Sequence, residues 1–440
     1  MFTSRGQILV LTGVFLLTSG FAFINYYLLT IGVLLIFAAV LNLPFFKGSR
    51  YEENILVERT IDREKLFARD YLYVKVVIEN VGNSGIDYLE FYDTLPDTFN
   101  VALGKNYIVT QVGPKSKIEF SYIVQPRLRG EYEIGPSKIT IYDRLHLNSA
   151  EIKFSVHTPV LVYPPYDDVR RYGQISQKRV LGILFGAHKA KDKGIGMDFF
   201  GIRRYDPSDE LRWVDWKATA KTGKLMTKEY ETERNIKIMI MLDSAGSMSA
   251  GDRDNNKFEY SIRAAVLLSH LALSRRDEVG LIAYTSNVDV FIEPKSGSKQ
   301  IFRILDALAR VSSSGVSKTY SAVKYAVNRL KKSVFYIILS DLEGPSKYIV
   351  ESLKLIRANG SEALVISPFG PWFEASLHGS SPVEKALSLA VTEELYESRQ
   401  KLISELNKYE VPVLNVGPDG YLPIIMSEYL KAKKRGVGIS

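Results

Sequence analysis

Apolar and polar positions follow three patterns along this chain. In the first, Ile8 to Phe46, 39 positions pass without a charged residue. As one straight helix that run would reach ~58 Å at about 1.5 Å per residue, nearly twice the ~30 Å core of a bilayer. It therefore predicts a hairpin of two short membrane spans, turning near Ser19 to Asn25, with Gly20 and Asn25 as turn residues. The second pattern has period two. In Tyr71–Asn80, Leu72, Val74, Val76 and Ile78 face one way and Tyr71, Tyr73, Lys75 and Glu79 the other. In Lys117–Val124 the inward set is Ile118, Phe120, Tyr122 and Val124. Shorter strands are expected at Asp87–Asp93, Tyr107–Val112, Gly130–Ile134, Lys138–Tyr142 and Glu151–Val156, punctuated by Gly, Pro and Asn. Such spacing predicts an immunoglobulin-like β-sandwich over residues 51–165.

The third pattern alternates strands with amphipathic helices. Strands are expected at Ile236–Leu242, Glu278–Tyr284, Val288–Ile292, Val334–Leu339, Ala363–Ser367 and Val411–Val416. Helices are expected near Phe258–Ser274, Lys299–Val311, Ser321–Lys331, Ser346–Ala358, Val383–Lys408 and Leu422–Lys434. The strands starting at Ile236 and Val334 are nearly continuous apolar runs, as a parallel sheet covered on both faces requires. This predicts an α/β doubly wound domain over 236–440, whose ligands would bind beyond the carboxyl ends of the strands. Oxygen donors collect there: Asp243 and Ser247 after the first strand, Thr319 before a helix, Asp341 after the Val334 strand. Helix N-caps account for single Asp, Ser and Thr residues in such places. Two carboxylates at neighbouring strand ends go further, because they repel each other and invite a cation.

Composition narrows the function. A chain of 440 residues suggests two or three domains. The formal net charge is +8, and most of it lies between Val169 and Arg234, where 15 Lys/Arg face 9 Asp/Glu, a difference of +6. No nucleic-acid-binding motif accompanies that charge, so no nucleic-acid partner is expected. With no Cys, thiol catalysis and Cys-based zinc sites are excluded. The five His are scattered, none paired at metal-ligand spacing. Gly194-x-Gly196 lacks the Gly-Lys-Ser/Thr ending of a phosphate loop. In the basic segment, Arg203, Arg204, Tyr205, Asp209 and Arg212 suit a protein-docking face, since Arg and aromatic residues dominate binding hot spots. Asp215 and Trp216 are expected to lock the segment onto the sheet domain, with Arg203 and Arg204 more freely placed. Arg5 before the first span and Lys47 and Arg50 after the second, with no basic residue between, predict cytoplasmic ends and cytoplasmic soluble domains.

The stretch from Gly194 to Glu233 carries a family resemblance. Gly194, Gly196, Phe199, Gly201, Arg203, Tyr205, Asp209, Arg212, Asp215, Trp216, Ala220, Leu225, Lys228 and Glu233 match the signature of the domain of unknown function 58 family. Ser208 and Lys221 depart from it. Members resemble a von Willebrand factor A domain behind a basic segment. The resemblance implies a metal-ion-dependent adhesion site for Mg²⁺ at Asp243, Ser247, Thr319 and Asp341, with Ala245 in place of the middle Ser of its Asp-x-Ser-x-Ser turn. It also implies a MoxR-type AAA+ ATPase as partner. The expected protein is thus a membrane-anchored, non-enzymatic adaptor, multi-pass in the cell membrane, with residues 1–50 as the anchor. The alternatives are an outward-facing metal-dependent adhesion or sensor module, and a hydrolase.

Overall fold

The computed structural model describes residues 2–41, 53–171, 198–231, 235–330, 333–373, 382–408, 412–435 and 437. The chain divides into two compact units, Met1–Pro165 and Tyr166–Ser440.

The first unit begins with two antiparallel helices, α1 (Ser4–Ala22) and α2 (Tyr26–Leu41). Ile24 takes a left-handed conformation in the turn, and the Asn25 side chain accepts from the Tyr27 amide at 3.0 Å to start α2. The buried residues of α1 are Gly6, Gly13 and Gly20, whereas Ile8, Leu11, Phe15 and Phe21 are 64–81% exposed. A helix in a water-soluble core would show the reverse. Small residues facing a neighbouring helix and large apolar ones facing outward are the arrangement of helices packed in lipid. By length and composition α1 can cross a membrane, and α2 is a shorter apolar helix. A Cβ on Gly32 would lie 2.8 Å from the Gly13 carbonyl oxygen and 2.9 Å from the Leu17 amide, so the backbones approach too closely for a side chain. Gly32→Leu is therefore expected to part the helices, and Ile31→Leu, at an exposed position, to spare them. Disulfide trapping between one cysteine introduced in each helix, in a chain with none of its own, measures this as lost cross-linking.

The start of α1 is tied to the β domain. The Thr3 amide donates to the Leu147 carbonyl at 3.0 Å, and the Thr3 hydroxyl to the His146 carbonyl at 2.5 Å. Asp143 shapes that turn by accepting from the Leu147 and Asn148 amides at 2.7 and 3.2 Å.

The β domain contains β1 (Ile55–Ile61), β2 (Lys65–Phe67), β3 (Leu72–Asn80), β4 (Ile86–Asp93), β5 (Phe99–Leu103), β6 (Tyr107–Val112), β7 (Ser116–Pro126), β8 (Gly130–Ile134), β9 (Ser137–Tyr142), β10 (Ser149–Phe154) and β11 (Thr158–Tyr163). Antiparallel sheets β1-β3-β7-β5 and β10-β9-β4-β6, with a small sheet β2-β11-β8, form a sandwich. Its core takes the alternate residues Leu72, Val74, Val76 and Ile78 of β3 together with Leu89, Phe91, Ile139 and Ile141 of the facing sheet. The seven expected strands are present. β1, β2, β5 and β11 are additional.

In the second unit, β12 (Asp198–Arg204) and β13 (Met226–Glu231) form a hairpin that encloses α3 (Trp216–Thr222). Then follow β14 (Lys237–Asp243), α4 (Lys257–Ser274), β15 (Glu278–Tyr284), β16 (Val288–Lys295), α5 (Ser298–Arg310), α6 (Thr319–Arg329), β17 (Phe335–Leu339), α7 (Ser346–Ala358), β18 (Glu362–Pro368), α8 (Pro382–Asn407), β19 (Val413–Val416) and α9 (Pro418–Arg435). The sheet runs β16-β15-β14-β17-β18-β19. Its pairings are parallel except for the antiparallel β15/β16 edge. Numbered within the domain, that order is 3-2-1-4-5-6, the doubly wound order, which reverses between β14 and β17. Met239, Met241, Tyr336 and Ile338 pack with α6 and α7 on one face, while α4 contacts β14 and β15 and carries α5 and α9. The expected strands and helices of this domain are all present.

Candidate functional site

Asp243 ends β14, at the switch point beside β17, with no solvent exposure. Its Oδ1 accepts from the Ala245 amide at 3.0 Å. Its Oδ2 accepts from the hydroxyls of Ser340 at 2.6 Å and Ser317 at 2.7 Å. Ser317 in turn lies 3.2 Å from the Thr319 hydroxyl, and Thr319 3.2 Å from that of Tyr284. Burial pushes the Asp243 carboxyl up to about 6; the charge of Asp341 adds to the rise, and the bonds from Ser340, Ser317 and the Ala245 amide oppose it. Thr319 is the first residue of α6 and Ser247 sits, half-buried, in the turn after β14.

Asp341 has a different partner. Its Oδ2 accepts from Lys257 Nζ at 2.8 Å, and the same ammonium donates to Glu343 Oε1 at 2.6 Å. Lys257 opens α4 and is 1% exposed. The carboxylates and hydroxyls of Asp243, Ser247, Thr319 and Asp341 are donors of the hard type that Mg²⁺ takes. Their arrangement is not that of an open ligand set: an ammonium is bound to Asp341, and Ala245 brings no hydroxyl. The residues present do not fit a divalent ion bridging Asp243 and Asp341. Lys257, Ser317, Ser340 and Glu343 complete the cluster and were not expected from the sequence. Ser340 and Ser317 flank the singled-out Asp341 and Thr319 closely enough to have been found. A lysine at a helix start gives no such signal.

In the basic segment, Arg203 and Trp216 exchange their expected placements. Arg203, expected to be freely placed, grips Asp209 with both terminal nitrogens, one at 2.6 Å. The Asp206 amide also bonds Asp209, at 2.9 Å. Trp216, expected to pack on the sheet domain, is 67% exposed. Asp215 acts locally as the N-cap of α3, accepting from the Lys217 and Ala218 amides at 3.0 Å each. The reason is that a helix only two turns long already satisfies Asp215, which leaves Trp216 at its first, outward position. Arg204 is exposed and Tyr205 half-buried. Arg212 pairs with Glu210 at 2.5 Å and lies 5.0 Å over the Trp213 ring. Gly194 and Gly196 lie outside the described residues.

The doubly wound sheet with an Asp and hydroxyl cluster at its switch point gives the second unit a von Willebrand A-like fold. Residues 201–367 match the family described as protein of unknown function DUF58. Residues 59–156 match the family described as BatD DUF11 like domain. The uncharacterized protein YeaD of Bacillus subtilis is 24% identical over 53% of this chain and 56% of its own length, so the chain spans little more than half of that relative. An uncharacterized protein of Mycobacterium bovis is 23% identical over 49% of this chain and 70% of its own length. Among solved structures, the conserved hypothetical protein BatB from Bacteroides thetaiotaomicron is 13% identical over 46% of this chain and 100% of its own, with TM-score 0.32. The SpRpn10 VWA domain is 13% identical over 44% of this chain and 95% of its own, with TM-score 0.29. The fold is defined by the strand order, independently of these likenesses.

Proposed function

We propose that this protein is a membrane-anchored, non-enzymatic adaptor that docks a protein partner through residues 211–228. The observation that carries this reading is a short segment whose large apolar and basic side chains are exposed. Leu211, Trp216 and Leu225 are 65%, 67% and 45% exposed. The exposed Lys217, Lys221 and Lys224 accompany them, while Arg212 is paired with Glu210. An exposed Trp within a basic patch has the composition of a binding hot spot, and its charge favours an acidic groove. The family resemblance suggests the owner of that groove, a MoxR-type AAA+ ATPase. The glycine-faced hairpin would be the anchor, with both soluble units on the cytoplasmic side, where the basic residues flanking the spans favour them. An outward-facing adhesion or sensor module would draw instead on the sheet edge.

Co-purification of an AAA+ ATPase with the full chain from native membranes tests the proposal. Trp216→Ala and the pair Lys217→Glu/Lys221→Glu should abolish it without changing the melt.

A further inference from the structure

The carboxyl edge of the sheet brings the acidic side chains of Asp243, Asp341 and Glu343 to the ends of β14 and β17. Asp243 is satisfied by neutral donors alone, the hydroxyls of Ser317 and Ser340 and the Ala245 amide. Asp341 and Glu343 share one ammonium, with Lys257 Nζ at 2.8 and 2.6 Å. The Lys257 and Asp341 side chains are 1% and 2% exposed, so water contributes little to stabilising either charge. Isolated buried charges are strongly disfavoured, and each is tolerated only beside an opposite partner. Arg399, bonded to Ser367 at 2.9 Å, also feels the charges of Asp341 and Glu343. A divalent ion ligated by Asp341 would have to displace the Lys257 ammonium or stand beside it. Displacement leaves that ammonium buried without its partner. Standing beside it sets two positive charges in contact in a medium of low effective dielectric.

We propose that the Lys257 ammonium is the resident cation of this sheet edge, occupying the place beside Asp341 and Glu343 that a divalent ion would need, so that these two carboxylates are paired without a metal. The consequence is a von Willebrand A-like domain whose switch-point carboxylates are bridged from within, by the first residue of α4, whatever partner docks elsewhere. Removing the side chain back to Cβ opens a hole lined by two carboxylates, and that hole is a cation site.

The test is thermal melting of the full chain in detergent with EDTA or with ~10 mM MnCl₂, a concentration at which even a millimolar site raises Tm by a few degrees. Wild type should melt within about 1 °C in both conditions. Lys257→Ala should melt roughly 5–10 °C lower in EDTA, because a buried carboxylate loses its partner, and recover part of the loss in MnCl₂. Lys257→Met fills the hole without charge and should be lowered but not rescued. If Lys257→Ala does not fold, the wild-type titration and the charge-retaining Lys257→Arg, expected to stay indifferent to Mn²⁺, decide the matter. A wild-type melt that rises with Mn²⁺ and loses that rise in Asp243→Ala would overturn the proposal. So would a folded Lys257→Ala variant that melts with wild type in EDTA.

Discussion

Arg59→Met should destabilise the β-sandwich by about 3–5 kcal/mol, the cost of removing one partner from a buried ion pair. Arg59 and Asp93 have no exposed side-chain surface. The guanidinium holds both oxygens of Asp93, with Nε to Oδ2 at 2.9 Å. Its Nη1 donates to the Ile134 and Val156 carbonyls at 2.6 and 2.9 Å, and to the Thr158 hydroxyl at 3.1 Å. Its Nη2 also donates to Ser137 at 2.8 Å. One side chain thus ties β1 to β4, β8, β9 and β11. Truncation leaves the Asp93 charge buried with only the hydroxyls of Tyr122, at 2.6 Å, and Ser137, at 3.1 Å. Two main-chain carbonyls also lose their donor, and an unpaired buried polar group costs about 1–3 kcal/mol. Denaturant unfolding of the full chain should show the loss as a lowered midpoint of the sandwich transition. The double variant Arg59→Met/Asp93→Asn should recover part of it, because no buried charge then remains.

Asp243 makes the second large contribution, through pH. Its carboxyl is pushed up to about 6 by burial, against about 4 in an unfolded chain. Between those values the folded protein holds a proton that the unfolded chain has released. Stability from this group is therefore full below about pH 4 and is lost as pH rises toward 6, by about 3 kcal/mol in all. Asp243→Asn removes the titration whatever constant offset it introduces. The stability difference between wild type and variant should shift against wild type by about that amount from pH 4 to pH 6.5, and then level off. A flat difference over the interval would mean that Asp243 is ionised throughout.

The α/β unit was legible in the sequence because burial on both sheet faces leaves unbroken apolar runs such as Ile238–Leu242 and Phe335–Leu339, and because its helices are amphipathic. The sandwich was legible where one face is polar, as in β3. It was not legible in β1, where the inward position of the alternation is taken by Arg59, a charge that reads as solvent-facing until Asp93, 34 residues away, is brought beside it. The same blindness hid Lys257, whose partners Asp341 and Glu343 lie 84 and 86 residues on. Trp216 misled in the other direction. Large aromatics are buried on average, and nothing local shows that this one heads a seven-residue helix with its ring outward. Arg203 and Asp209, six residues apart, pair only because the loop after β12 folds back on the strand. Long-range pairing of charges is what a single sequence leaves open.

The central claim, that residues 211–228 dock a protein partner, is tested most directly by capturing an AAA+ ATPase on the full chain and reading the captured amount against the melt for wild type, Trp216→Ala and Lys217→Glu/Lys221→Glu. Truncating a central Trp costs about 2 kcal/mol or more of binding, roughly 30-fold in affinity, whereas removing an exposed ring costs the fold within about 0.5 kcal/mol. The account predicts that both variants melt with wild type and capture little or no ATPase. Undiminished capture by two folded variants, or a Trp216→Ala melt lowered by the several degrees of a core deletion, would contradict it.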